Sequence, residues 1–194
     1  MDIWLVRHGE TDWNLNRRVQ GWTDIPLNQT GRDQARRLAA SLSGIPFQHI
    51  YTSDLSRARD TGKAIADSTG TPLSTTPQLR EQYFGQAEGL NRQDKDRRFP
   101  NGAPDAETPS MVEARVSEFL TEIAAKHPTG RIVVATHGGV VRAALRWLGQ
   151  PDPVIHNTSV TCLRVENGVF SVSVVNAIPH LQARTDDEST AGIS

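Results

Sequence analysis

The chain has 194 residues, enough for one domain of ordinary size and cramped for two. At 37% hydrophobic residues it is too apolar for a disordered chain, yet none of its apolar runs, such as Ile132–Ala135, approaches the ~20 residues of a spanning helix. A net charge of -1, from 21 basic and 22 acidic residues, excludes the broad positive field of a nucleic-acid binder.

Cys162 is the single cysteine, so no intrachain disulfide forms, and Met1–Trp4 lacks the basic and apolar regions of an export signal; the cytoplasm is the expected compartment. The 18 arginines against three lysines fit phosphate recognition and genome-wide codon usage equally well.

Ile3-Trp4-Leu5-Val6 is a short apolar run that stops at Arg7-His8-Gly9-Glu10, the pattern of a buried strand leaving a sheet. A helix is predicted from Thr30, with Thr30 as its cap, Ala35, Leu38, Ala39 and Leu42 on one face, and Gly44 and Pro46 ending it. His49–Thr52 reads as a second strand, and Asp54 or Ser56 as the cap of a helix that runs to about Thr69, before Gly70 and Pro72. Residues 91–111 are polar and carry three prolines, so they read as an irregular excursion.

A helix resumes over Pro109–Lys126, with Val112, Val116, Phe119, Leu120 and Ile123 on one face. Arg131–Thr136 is the β-branched run that a central parallel strand needs; His137-Gly138-Gly139 follows, then a helix over Val140–Leu148. Val160–Val165 and Val169–Val175 form a hairpin about Asn167-Gly168, a pair suited to a type I′ turn. Beyond Gln182 the sequence is polar and aperiodic, so 1–181 reads as one domain and 182–194 as a flexible tail.

This alternation predicts an α/β sandwich with a mostly parallel sheet, whose ligands bind beyond the carboxyl ends of the strands. His8 and His137, 129 positions apart, both fall at such ends and both precede glycine. Singly, each reads better as a satisfied loop residue, and Arg57 alone reads as a solvated helix residue paired with Asp54 or Asp60. Together with Arg7, and with small residues opening a helix after His137, they read as an anion site.

Six motifs carry a wider likeness: Leu5–Asn14, Gln20-Gly21-Trp22, Pro26–Gly31, Ser53–Ala58, Leu79-Arg80-Glu81 and Thr136-His137-Gly138. In this order, over roughly residues 3–181, they resemble the histidine phosphatase superfamily, the phosphoglycerate-mutase-like proteins. The resemblance implies a three-layer α/β/α sandwich with a cap-like excursion at about 82–111. It implies His8 as the nucleophile that takes the phosphoryl group, Arg7, Arg57 and His137 around the phosphate, Asn14 as a polar contact and Glu81 as the general acid. Thr11, Gln20, Gly21 and the Gly138 backbone N–H are implied as further phosphate or substrate contacts.

These roles are coherent physically. A neutral imidazole attacks phosphorus in line, two arginines and a second histidine offset the charge on the transferring oxygens, and neither metal nor other cofactor is expected. The nearby cations are expected to lower the pKa of His8, and Glu81 must hold a proton when the leaving group departs.

Family members often read Phe-Gly-Glu-Trp-Glu-Gly after the acid, whereas Phe84–Gly89 here has Ala87 for the tryptophan, which predicts a larger pocket or a looser loop. Glu88 is either a rival acid or a loop anchor, and Trp13 and Trp22 are expected to pack as core aromatics that shape the pocket.

Only 56 positions separate Glu81 from His137, short beside phosphoglycerate mutases, which favours hydrolysis of a small phosphorylated metabolite over mutase-type transfer. The six histidines show no metal-ligand spacing, so His49, His127, His156 and His180 read as surface or packing residues, and the intact set argues against a catalytically silent binding module. Phosphoglycerates, phosphoserine, sugar phosphates and α-ribazole phosphate stay open as substrates. Arg92, Lys95, Arg97 and Arg98, beside Asp94, Asp96, Asp105 and Glu107, suit a cover over the pocket or a solvated loop. Neither nucleic acid nor membrane is an expected partner, and the exposed strand of the final hairpin is a candidate edge for a homodimer.

Overall fold

The computed structural model describes residues 1–179; His180 and the tail assigned to 182–194 lie outside the described residues. In chain order the elements are β1 (Asp2–Arg7), α1 (Asp12–Leu15), α2 (Gln29–Leu42), β2 (His49–Ser53), α3 (Ser56–Thr69), β3 (Leu73–Thr76), α4 (Arg92–Arg98), α5 (Pro109–Lys126), β4 (Arg131–Thr136), α6 (Gly138–Trp147), β5 (Val160–Glu166) and β6 (Val169–Ala177). The six strands form one sheet in the order β3-β2-β4-β1-β5-β6, parallel from β3 to β1 and antiparallel across β5 and β6.

β4 explains the layers. Its side chains alternate: Ile132 and Val134 pack with Val116, Leu120 and Leu145 of α5 and α6, and Val133 packs on the other face with Leu38, Leu42 and Ile65 of α2 and α3. A strand sealed on both faces has no solvent side, so it reads as a continuous apolar run, and the fold is a three-layer α/β/α sandwich. No helix among the described residues is long and apolar enough to cross a membrane.

Several local features differ from the sequence reading. Asn28, not Thr30, caps α2: its side chain accepts from the Gly31 N–H at 2.8 Å and donates to Glu10 Oε1 at 2.9 Å, tying the helix start to the loop after β1. Neither Asp54 nor Ser56 caps α3; Asp24, distant in sequence, accepts from both the backbone N–H and the hydroxyl of Ser56 at 2.8 Å, while Asp54 holds Arg80. The excursion is not wholly irregular, since Gly85–Ala87 forms a 3-10 turn and α4 is capped by Asn91. β3 was missed because Leu73-Ser74-Thr75-Thr76 is a mostly polar edge strand. The hairpin turn is as read, with φ of 52° at Asn167 and 78° at Gly168. α6 begins at Gly138, two residues earlier than expected, which puts Gly138 and Gly139 in its first turn.

Candidate active site

β1 and β4 pair in parallel with Arg7 opposite Thr136, so the next residues, His8 and His137, leave the sheet side by side. Their ring centroids are 5.2 Å apart at an interplanar angle of 63°. His8 is 2% exposed, and its Nδ1 lies 2.6 Å from the Gly9 carbonyl. A carbonyl only accepts, so Nδ1 carries the proton and Nε2 keeps its lone pair. Burial, then Arg57 and Arg7, hold the His8 pKa well below 6.5; the cations foreseen from sequence act, but desolvation is the larger cause. His137 is fully buried and likewise held well below 6.5, by burial first and then by Arg57 and His8.

Arg57, in the first turn of α3, is fully buried and pairs with neither Asp54 nor Asp60. Its Nη1 donates to the Thr23 carbonyl at 3.0 Å and its Nη2 to the Gly21 carbonyl at 2.7 Å. Arg7 Nη1 donates to the Ile155 carbonyl at 2.6 Å, and burial lowers the Arg7 pKa to about 10. Of five buried side-chain polar atoms without a hydrogen-bond partner among the described residues, four belong here: Arg7 Nε, Arg57 Nε and both ring nitrogens of His137. An unmet buried donor costs about 1–3 kcal/mol, so this concentration marks a place that an anion is built to fill.

Glu81 faces this cluster from the start of the excursion. Its Oε2 accepts from the Gly139 N–H at 3.1 Å and its Oε1 from the Gln82 N–H at 2.8 Å. The carboxylate lies so close over Gly139 that a Cβ there would overlap Oε1. Trp22 Nε1 and Arg115 Nη2 donate to the Glu81 carbonyl at 2.8 and 3.1 Å. Arg115 also donates to the carbonyls of Gln78 and Arg80 and pairs with Glu107 at 2.9 Å, so one guanidinium holds the whole segment that carries the acid. Sequence reasoning missed this pair, because nothing local joins positions 81, 107 and 115.

Glu88 accepts from the backbone N–H groups of Trp22, Thr23 and Phe84 and from the Thr23 hydroxyl, and it does not line the cleft; the loop-anchor reading fits this placement. Ala87 is buried and does not itself line the cleft. Trp13 does line the cleft, whereas Trp22 is 38% exposed beneath Arg80, not a core aromatic.

The cleft has a volume of about 1060 Å³. Asn14, Gln20, Gly21 and Gly138 line it with Arg7, His8, Arg57 and Glu81. Thr11 does not: it is fully buried, and its hydroxyl lies 3.1 Å from Asn14 Oδ1 and 3.0 Å from Gln20 Oε1, holding two side chains that do. Arg17, Arg18, Arg92, Lys95 and Arg142 add cationic lining, opposed only by Glu81 and Asp152 among the described residues. Thus Arg92 and Lys95 of α4 face the pocket, as a cover would, while Arg97 turns away to Asp94. His49 bonds Ser74, His127 bonds Tyr51, and His156 is exposed.

A buried imidazole with one free nitrogen, framed by guanidiniums and faced by a carboxylate at the carboxyl edge of a parallel sheet, is an α/β site chemically suited to a phosphoryl group. The chain belongs to the histidine phosphatase superfamily (branch 1), whose sequence model matches residues 3–178. It is 32% identical over 170 residues to the uncharacterized phosphatase PhoE of Bacillus subtilis, covering 87% of this chain and 88% of that one. It is 36% identical over 200 residues to phosphoglycerate mutase-like protein 4 of Arabidopsis thaliana, covering 93% and 87%. Its fold superposes on Bacillus stearothermophilus YhfR with a TM-score of 0.86 and 30% identity, covering 93% and 98%.

Proposed function

We propose that the protein is a phosphomonoesterase that hydrolyses a small phosphorylated metabolite through a phosphohistidine on His8. The observation that carries this reading is the set of unpartnered buried donors on Arg7, Arg57 and His137 around an imidazole whose Nδ1 is already bonded to Gly9. In the first step His8 Nε2 forms a bond to phosphorus as the bond to the ester oxygen breaks, and Glu81 delivers a proton to that oxygen. Arg7 and Arg57 neutralise charge on the equatorial oxygens, and the His137 imidazole, held neutral by its burial, contributes a hydrogen bond beside them. In the second step Glu81 takes a proton from water, whose oxygen attacks phosphorus and frees His8 and inorganic phosphate.

Asn14 and Gln20 would bind phosphoryl oxygens through their amides, with Thr11 holding both in place. The guanidiniums supply the charge neutralisation that a metal supplies elsewhere, so turnover should survive a chelator. Net hydrolysis is favoured by the short connection from Glu81 to His137, in which the helix over the cleft, α4, has only seven residues. Phosphatases and phosphoglycerate mutase-like proteins both occur among the relatives, so the deciding experiment measures phosphate release beside isomer formation on 3-phosphoglycerate and phosphoserine. Phosphate release by the native protein, none by His8→Ala, and an acid-labile, base-stable phosphoramidate on His8 in quenched turnover mixtures are expected. Isomer without phosphate, or turnover with no such adduct, overturns the proposal.

A further inference from the structure

Arg142 stands four residues after Gly138 on α6, so both lie on one face of the helix. Its guanidinium reaches back toward the helix start: a carbon placed on Gly138 would lie 3.6 Å from Arg142 Nη1 and 3.5 Å from Arg7 Nε. Two guanidiniums therefore flank one point above Gly138. Their mutual repulsion is felt, since Arg142 is among the groups that lower the Arg7 pKa, and Arg7 Nε is buried with nothing to bond. Like charges brought this close are stable only when something holds them from behind, or when an anion lies between them.

The holding comes from one loop. Asp152 Oδ1 lies 3.4 Å from Arg142 Nε, and the Ile155 carbonyl accepts from Arg7 Nη1 at 2.6 Å. Pro151 and Pro153 bracket Asp152, and a proline ring fixes φ near about -65°, so the carboxylate is presented from a stiffened turn. Arg146 Nη1 holds its other oxygen at 3.4 Å. Paired with Asp152 on its Nε side and only 35% exposed, Arg142 turns its Nη1 toward Gly138 in the cleft that it lines.

We propose that Arg142 is a third substrate-contacting guanidinium, sharing an anionic oxygen with Arg7 Nε above Gly138, and that Asp152 is its positioning residue. This rests on the phosphoryl-transfer reading of the cleft, but its test needs no turnover. Inorganic phosphate is titrated calorimetrically into the native protein, Arg142→Met, Arg142→Lys, Asp152→Asn and the Arg142→Met/Asp152→Asn double variant, with thermal melts to verify each fold. Arg142→Met should weaken phosphate binding about tenfold, and Arg142→Lys should recover part of the loss as a point charge without the planar fork. Asp152→Asn alone should weaken binding about threefold, and it should cause no further weakening in the Arg142→Met background, because its positioning role runs through that side chain. Unchanged phosphate affinity in a folded Arg142→Met overturns the proposal, and additive losses in the double variant overturn the role of Asp152. A native protein that binds phosphate in this way yet hydrolyses no ester refutes the esterase reading and leaves the assignment of Arg142 standing.

Discussion

Replacing Gly139 by alanine tests the acid without touching it. The added Cβ would overlap Glu81 Oε1, and one of the two must yield. α6 is anchored by the buried Val140, Val141, Ala144 and Leu145, whereas the carboxylate is the free end of a flexible side chain, so the carboxylate moves. It then loses its 3.1 Å bond to the Gly139 N–H, worth about 0.5–1.5 kcal/mol. A displacement of about 1 Å at a reacting group costs on the order of 100-fold. Fold stability should hold, since alanine favours a helix over glycine by up to about 1 kcal/mol. The assay is kcat/KM, which reports the phosphorylation step, over phosphomonoesters of graded leaving-group basicity. Alkyl phosphates should lose roughly 100-fold, and p-nitrophenyl phosphate under about 5-fold, because nitrophenolate departs without a proton. An equal loss across the series, or none with alkyl esters, refutes the assignment of Glu81.

Three further outcomes are expected. Glu88→Ala leaves three backbone N–H groups without an acceptor and should cost about 2–3 kcal/mol in denaturant melts. KM should rise as the Gly21 and Thr23 carbonyls that seat Arg57 slip, with an unchanged leaving-group dependence; a steeper one would give Glu88 the acid role. Arg115→Ala strands Glu107 and frees the segment carrying Glu81, so stability should fall by about 3 kcal/mol, or roughly 6–12 °C in Tm, with kcat falling too; an unchanged melt refutes this. His8 and His137 have native pKa values well below 6.5, so their neutral forms add no penalty above that pH, while below it the unfolded chain takes up protons that the fold refuses. Stability should therefore drop by roughly 2–3 kcal/mol from pH 7.5 to 5.5, read by urea unfolding, and a flat profile contradicts the burial of the pair.

What the sequence conveyed was whatever repeats locally. β1, β4, α2, α5 and the hairpin each declare themselves through periodicity or a turn pair. His8, His137, Arg7 and Arg57 could be gathered because strand ends are legible and an α/β sheet aligns them. The missed parts have no local signature. Asp24 caps a helix 32 positions away, Glu88 anchors Trp22 and Thr23, Arg115 grips the carbonyls of Gln78, Arg80 and Glu81, and Asp152 backs Arg142. Each is an ordinary charged residue whose partner is chosen only when loops at the carboxyl edge meet. The motif around Thr11 implies a substrate contact, whereas its hydroxyl spends its capacity on Asn14 and Gln20.

The ladder joining Arg7 to Thr136 has one more consequence. It acts as a ruler: because neighbouring strands mesh residue for residue, the two imidazoles are metered into place by backbone geometry far more rigid than any loop. Inserting or deleting one residue in β4 would swap its two faces, exposing the wrong side chain to each helical layer and carrying Thr136 or Gly138 into the second histidine's slot. Between Glu88 and Glu107, which fasten its two ends, the segment that carries α4 lies outside that meshing and is freer to lengthen, shorten or recharge. A lineage, or an engineer, can change what enters the cleft by editing its roof while the distance between the rings stays as it was.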